Sequence, residues 1–272
     1  MMSFNGAIEI DSGFRCERGA VRERNEDSCL ALTAVYGGHF PLNPLGLYVV
    51  ADGMGGEREG HVASNTATRA FADFVLSGLY LPLLRQRPEP PERDMLDLIE
   101  RGVFAAHEAI VGPDSAEPGS NGGTTLTAGL VFGRRLYIAH VGDSRAYLYT
   151  GGRLQLLTED HSLVRRLQET GRLSMEDAQH FQYRNVLLQA LGQNGSLTAD
   201  TFSLDLPARG KLLLCSDGLC GIISPAQMAG ILGGDGQAQE IADRLYAAAM
   251  RGGGYDNITA VVVDIALQAT VS

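Results

Sequence analysis

Acids stand at five places where a folding chain gains little from them. Asp52 follows the apolar run GLYVVA and precedes Gly53-Met54-Gly55-Gly56. Asp143 sits in HVGDSRAY between two apolar runs, and Asp217 follows KLLLCS and precedes Gly218. Asp256 follows GGGY and precedes Asn257 and the last apolar run, while Glu26 and Asp27 stand together before another. One aspartate at a turn needs no chemistry, because it bonds its own backbone and tolerates unusual angles. Four strand-end aspartates beside glycine or asparagine point instead to a shared cluster. Glycine lets the backbone approach closely, so a carbonyl can join the carboxylates as a ligand. Carboxylates without a His–Cys set suit hard cations such as Mg²⁺ or Mn²⁺. A carboxylate bridging two such ions about 3.5 to 4 Å apart is the usual arrangement of two-metal hydrolysis. No D-x-[DN]-x-[DN]-G-x₅-E run occurs, which argues against an EF-hand calcium loop.

The elements that must position these acids follow from patterning. Strands are predicted at 7–14, 28–33 and 46–51. Residues 61–79 carry Val62, Ala63, Ala67, Ala70, Phe71, Phe74 and Val75 at helical spacing. The prolines of RQRPEPPERD separate this helix from a second at 94–111. Three closely spaced strands at 125–132, 136–141 and 145–149, with turns at Gly133-Arg134 and Gly142-Asp143, suggest an antiparallel meander. Gly151-Gly152 turns into a further strand at 154–157. Residues 162–190 are polar and irregularly helical. Strands return at 199–205 and 211–215, with helices at 225–232 and 237–250. The β-branched run ITAVVVDI, 258–265, predicts a central strand buried on both faces. Helices inserted between antiparallel runs make the chain α+β, with strands enough for two stacked sheets and helices outside. The segment NGGTT, 121–125, is not a P-loop, since no GK[ST] follows; it is a turn feeding a strand, with Thr124 near the site.

Composition limits the function. At roughly 150 residues per domain, 272 residues suggest two domains, but the motifs run from 22 to 264 and must converge, so one domain over 1–272 is expected. The net charge of −10 argues against nucleic-acid binding, and so against a metallonuclease. It also disfavours phosphate, unless bound cations invert the local charge. Cys16, Cys29, Cys215 and Cys220 form no CxxC and suit reduced, mostly buried thiols. No secretory signal and no stretch of about 18 apolar residues is visible, so a cytoplasmic protein without a membrane span is expected.

Seven stretches, VRERNEDS, VVADGMGG, GGTTLTAGLV, AHVGDSRAYLY, LTEDHSLV, LLLCSDGL and YDNITAVVVDI, resemble in their order the type 2C metal-dependent Ser/Thr protein phosphatases of bacteria. The resemblance implies a four-layer α-β-β-α sandwich. It implies Asp52 as the ligand bridging both metals, the Gly53 carbonyl on one of them, and Asp217 and Asp256 as the other direct ligands of the first. Glu26 and Asp27 would hold metal-bound waters, and Asp143 with Asp217 would bind a third, weaker ion. Asn257 would support the ligands from behind. Arg22, rather than the neighbouring Arg24, matches the phosphate-binding arginine. The implied cofactors are two Mn²⁺ or Mg²⁺ ions, activating a bridging water for in-line attack on phosphoserine or phosphothreonine. The implied partners are phosphorylated proteins and a cognate Ser/Thr kinase, with the enzyme a monomer.

The chain departs from the pattern in three ways. Met54 stands where some members carry a histidine acid, which leaves a metal-bound water or, less readily, His161 for that role; a structural hydrogen bond suits His161 better. Glu57 and His61 exchange the residue types usual in bacterial relatives, and the swap would preserve a local pair. Residues 162–190, the flap of bacterial relatives, carry Arg165, Arg166, Arg172 and Arg184 and are expected to touch the phosphoprotein. A binding module without turnover would lack ligands, and all are present. A phosphatase for small metabolites would need a deep small-molecule pocket, and nothing in the sequence suggests one.

Overall fold

Residues 258–267 show how the layers are built. Ile258, Ala260 and Val262 face one way and Val261, Val263 and Ile265 the other, and all six are buried. Such a strand needs a cover on each face. The first set packs with Ile241, Ala242, Leu245 and Ala249 of a helix, and the second with Tyr48, Val50, Val131 and Ile138 of another sheet. The computed structural model describes residues 8–37, 43–55, 60–112, 122–178, 181–183, 185–193 and 195–267.

One sheet has the order β1 (Ile8–Glu17), β11 (Ile258–Leu267), β10 (Arg209–Cys215), β7 (Arg145–Thr150), β8 (Arg153–Leu156). The other has the order β2 (Asp27–Ala34), β3 (Leu45–Met54), β5 (Leu126–Phe132), β6 (Arg135–Val141), β9 (Asp200–Asp205), with the short β4 (Gly123–Thr124) paired to the end of β3. The pairings are antiparallel. Helices α1 (Gly60–Val75) and α3 (Glu92–Val111) cover the second sheet, Phe71 and Val103 meeting Leu47 and Val49. A π-helical turn, Leu76–Tyr80, and α2 (Leu81–Leu84) lead from α1 toward α3. Helices α6 (Asp217–Cys220), α7 (Pro225–Leu232) and α8 (Ala238–Arg251) cover the first sheet. The alternation of strand residues between two covers thus yields four layers, helix–sheet–sheet–helix, the α+β sandwich expected.

The meander does not form as expected. β5 and β6 make the hairpin at Gly133-Arg134, but β7 joins the other sheet. Gly142, at φ +112°, lies so close to the Thr125 side chain that a Cβ there would clash. The backbone groups that a hairpin would pair are taken elsewhere: His161 N–H donates to the Gly142 carbonyl (2.7 Å) and the Thr127 hydroxyl to the Ser144 carbonyl (3.1 Å). The chain therefore crosses between sheets at Asp143. β3 also runs further than expected, to Met54, so Asp52 lies inside the strand, opposite Asp27.

Among the described residues between 162 and 190 the helices are only α4 (Leu163–Glu169) and α5 (Met175–Ala178). The base of this segment is closed by backbone bonds from Leu163 to Val186 (2.9 Å) and from Leu188 to His161 (2.7 Å). Glu57 and Arg184 lie outside the described residues, and with Glu57 so does the expected Glu57–His61 pair.

Candidate metal and phosphate site

Antiparallel pairing brings the functional ends together. The start of β2 meets the end of β3, the end of β10 meets the start of β11, and the crossover after β6 supplies the last acid. A cavity of about 760 Å³ opens there, lined by Glu26, Asp52, Asp143, Asp217 and Asp256. Arg22, Gly53 and Asn257 share its wall. Asp27 and Thr124 stand just behind it.

Each position has a local cause. Gly53 passes so near the Gly60 and Glu26 carbonyls that any Cβ would collide with them, and Gly218 stands likewise against the Asn257 carbonyl. The Thr125 hydroxyl accepts from Asp52 N–H (2.9 Å) and bonds the Ser144 hydroxyl (2.8 Å), while the Thr124 hydroxyl donates to the Asp52 carbonyl (2.9 Å). Asn257 accepts from Glu26 N–H (2.8 Å) and donates to the Arg24 carbonyl (2.8 Å), fixing the approach to β2 against the start of β11. Asp27 is buried, its Oδ2 taking hydrogen bonds from Ser216 (2.8 Å) and Thr259 (2.7 Å). Arg22 Nη2 reaches Asp256 Oδ2 at 2.7 Å.

The electrostatics are adverse without a cation. Burial lifts Asp27 to about 7 against the bonds from Thr259 and Ser216. Burial, then the charge of Asp217, lifts Asp143 to about 7. Burial raises Asp52 well above its ordinary value, with the charges of Asp27, Asp217, Asp143 and Asp256 adding to it. Burial, then Asp256, also raises Asp217. Among the described residues no three His, Cys, Asp or Glu side chains form a ready-made metal cage. The donor set nonetheless fits hard divalent ions: carboxylates and a near carbonyl, with Asp27 Oδ1 buried and without a partner. Mg²⁺ in particular keeps several waters and needs few protein ligands.

His161 does not line the cavity. Its ring contacts Asp200 (Nε2 to Oδ2, 3.1 Å) and lies 4.9 Å from that of His140, so it ties the crossover to β9. In the flap, Arg165 is bound to Glu159 (2.7 Å) and Arg166 is near Glu169 (3.7 Å); among the described flap residues Asn185 and Leu187 lie on the cavity wall. Thr125, Ser144, Ser216 and Thr259 were not singled out from the sequence. In strands such residues look like ordinary β-formers, and the one signal was polarity inside otherwise apolar runs.

A four-layer sandwich with acids gathered at one end of both sheets, and an arginine at the mouth, defines a metal-dependent phosphoester hydrolase. The chain belongs to the protein phosphatase 2C family, whose sequence profile matches residues 23–237. The serine/threonine phosphatase stp of Listeria welshimeri is 38% identical over 253 residues, 92% of this chain and 94% of that protein. The serine/threonine protein phosphatase PstP of Mycobacterium tuberculosis is 36% identical over 256 residues, 92% of this chain but 44% of PstP. A crystal structure of the PstP catalytic domain with two manganese ions superposes with a TM-score of 0.76 at 34% identity, covering 96% of this chain and 100% of that one. The chain is accordingly a phosphatase of phosphoserine and phosphothreonine that works with divalent cations. No helix among the described residues is long and apolar enough to cross a membrane.

Proposed function

We propose that this chain dephosphorylates proteins with two Mn²⁺ or Mg²⁺ ions held by Asp52, Asp217 and Asp256, and that it reverses a bacterial Ser/Thr kinase. The observation that carries the reading is the convergence of these acids with Arg22 on one cavity wall. When bound, the two ions supply positive charge and an acidified water. Asp52, held at both its N–H and its carbonyl by Thr125 and Thr124, would serve both ions. The Gly53 carbonyl is a further ligand, and Glu26 and Asp27 orient waters. Asp143 with Asp217 holds a third, weaker ion. Asn257 positions Glu26. Arg22 grips two phosphate oxygens with its planar fork once it leaves Asp256. The relatives named as Ser/Thr phosphatases support a phosphoprotein substrate.

The working unit is one catalytic domain over 1–272, with 162–190 as its flap. The pairing of β1 with β11 supports it, since the strands nearest the two ends of the described chain lie side by side. The enzyme works as a monomer in the bacterial cytoplasm, and the four free cysteines accord with a reducing compartment. The test is hydrolysis of a phosphothreonine peptide with and without Mn²⁺ by wild type and Asp52→Asn. Turnover should require the metal and fall about 100-fold or more in the variant. Equal rates in the two proteins would overturn the assignment of Asp52.

A further inference from the structure

Two loops are fastened together beside the cavity. Ala20 N–H donates to the Gly254 carbonyl at 2.8 Å, and Arg22 bonds Asp256 at 2.7 Å. A Cβ on Gly19 would collide with the Asp256 carbonyl, and Asn257 reaches the Arg18 carbonyl at 3.2 Å. Between the 20–254 and 22–256 links sit Val21 and Tyr255, and these are 64% and 65% exposed. Gly253 and Gly254 hold positive φ, and the Tyr255 ring lies where a Cβ on Gly253 would be. The ring is thereby backed by the chain on one side and open on the other. Single exposed apolar residues are ordinary. This pair differs, because each member directly precedes a residue of the cavity wall, Arg22 or Asp256.

We propose that Val21 and Tyr255 form an apolar ledge that seats an apolar side chain of the phosphoprotein, a few residues from the phosphorylated one. The proposal rests on the phosphoprotein reading given above. The cavity wall is mainly charged and polar and includes Arg22 and Asp256, each next in the chain to a residue of the ledge. A substrate whose phosphate lies at Arg22 must leave the cavity across a rim. An extended chain advances about 3.3 Å per residue, so its second or third residue from the phosphate reaches past one side chain of the wall. Tyrosine suits such a contact, offering a large apolar face at small entropic cost. Continuity with the cavity makes the substrate, rather than a second copy of the chain, the occupant.

The experiment compares phosphothreonine peptides carrying Leu or Ser at the second residue on each side, in Mn²⁺, with p-nitrophenyl phosphate as a substrate too small to reach the ledge. Wild type should favour a Leu peptide by about tenfold, mainly in KM. Tyr255→Ala should bring that preference to about twofold or less, Tyr255→Phe should keep it, and Val21→Ser should weaken it. Hydrolysis of p-nitrophenyl phosphate should be the same in all four proteins. No preference in wild type, or the same preference in Tyr255→Ala, overturns the ledge. So does an equal loss on both substrate types, which would make Tyr255 a prop for Asp256. Failure of wild type on every peptide, with p-nitrophenyl phosphate still turned over, instead strikes the phosphoprotein reading and takes the ledge with it.

Discussion

The Thr125 hydroxyl has two partners, accepting from the Asp52 N–H and bonding the Ser144 hydroxyl, and it joins the two strand ends that carry Asp52 and Asp143. Thr125→Val keeps the shape and removes both bonds. A buried N–H left unpaired costs about 1 to 3 kcal/mol, so urea unfolding should show a loss of that size. The peptide activity should fall with it, because the Asp52 N–H loses its tie to Thr125; unchanged stability and activity would show that water replaces the hydroxyl. The sequence made Asp52 and its fellow acids legible through their odd placement beside glycine. It did not make Thr125 legible, because a threonine at a strand start needs no explanation; Thr124, the neighbour favoured from the sequence, ties the Asp52 carbonyl from behind the cavity.

At the scale of elements, the crossover from β6 to β7 rests on buried polar groups. His140 is fully buried, with Nδ1 at the Thr127 hydroxyl (2.9 Å) and Nε2 at the Glu159 carbonyl (3.0 Å), which can only accept. Nε2 therefore carries a proton, and burial, then the neighbouring His161, favours the neutral ring and depresses its pKa from 6.5 to about 4. Asp160 and Asp200 face it and oppose the shift without reversing it. The unfolded chain takes up a proton below about 6.5 and the folded chain resists until about 4. The stabilisation is complete above pH 6.5 and is lost as pH falls from there toward 4, by about 3 kcal/mol at most. Urea unfolding at pH 8 and pH 5 should show about 2 kcal/mol of this drop, and His140→Asn should show a smaller one. An identical drop in the variant would assign it to other groups. The sequence concealed the crossover, since Gly142-Asp143 has the local chemistry of a hairpin turn. Sheet membership was decided by distant partners, Thr125, Thr127 and His161.

Over the whole molecule, legibility tracked burial pattern. Strands with two covered faces, such as β11, announce themselves as unbroken β-branched runs, and the four layers follow once both faces must be covered. What orders the strands within each sheet is long-range pairing, which no local pattern encodes. The same architecture gathers like charges at one end of a chain whose net charge is already −10. Hydrogen bonds to neutral groups lessen that repulsion, but only cations reverse it. The most direct measurement is the thermal unfolding of chelator-treated protein as Mn²⁺ is added, for wild type and Asp52→Asn. A ligand that binds only the folded state stabilises it by about 2.7 kcal/mol at one hundred times its Kd. For a chain of this size that corresponds to a Tm rise of roughly 5 to 11 °C in wild type, and a much smaller rise is predicted for the variant. A Tm that ignores Mn²⁺ in wild type, or rises equally in both proteins, would contradict a cation site built on Asp52.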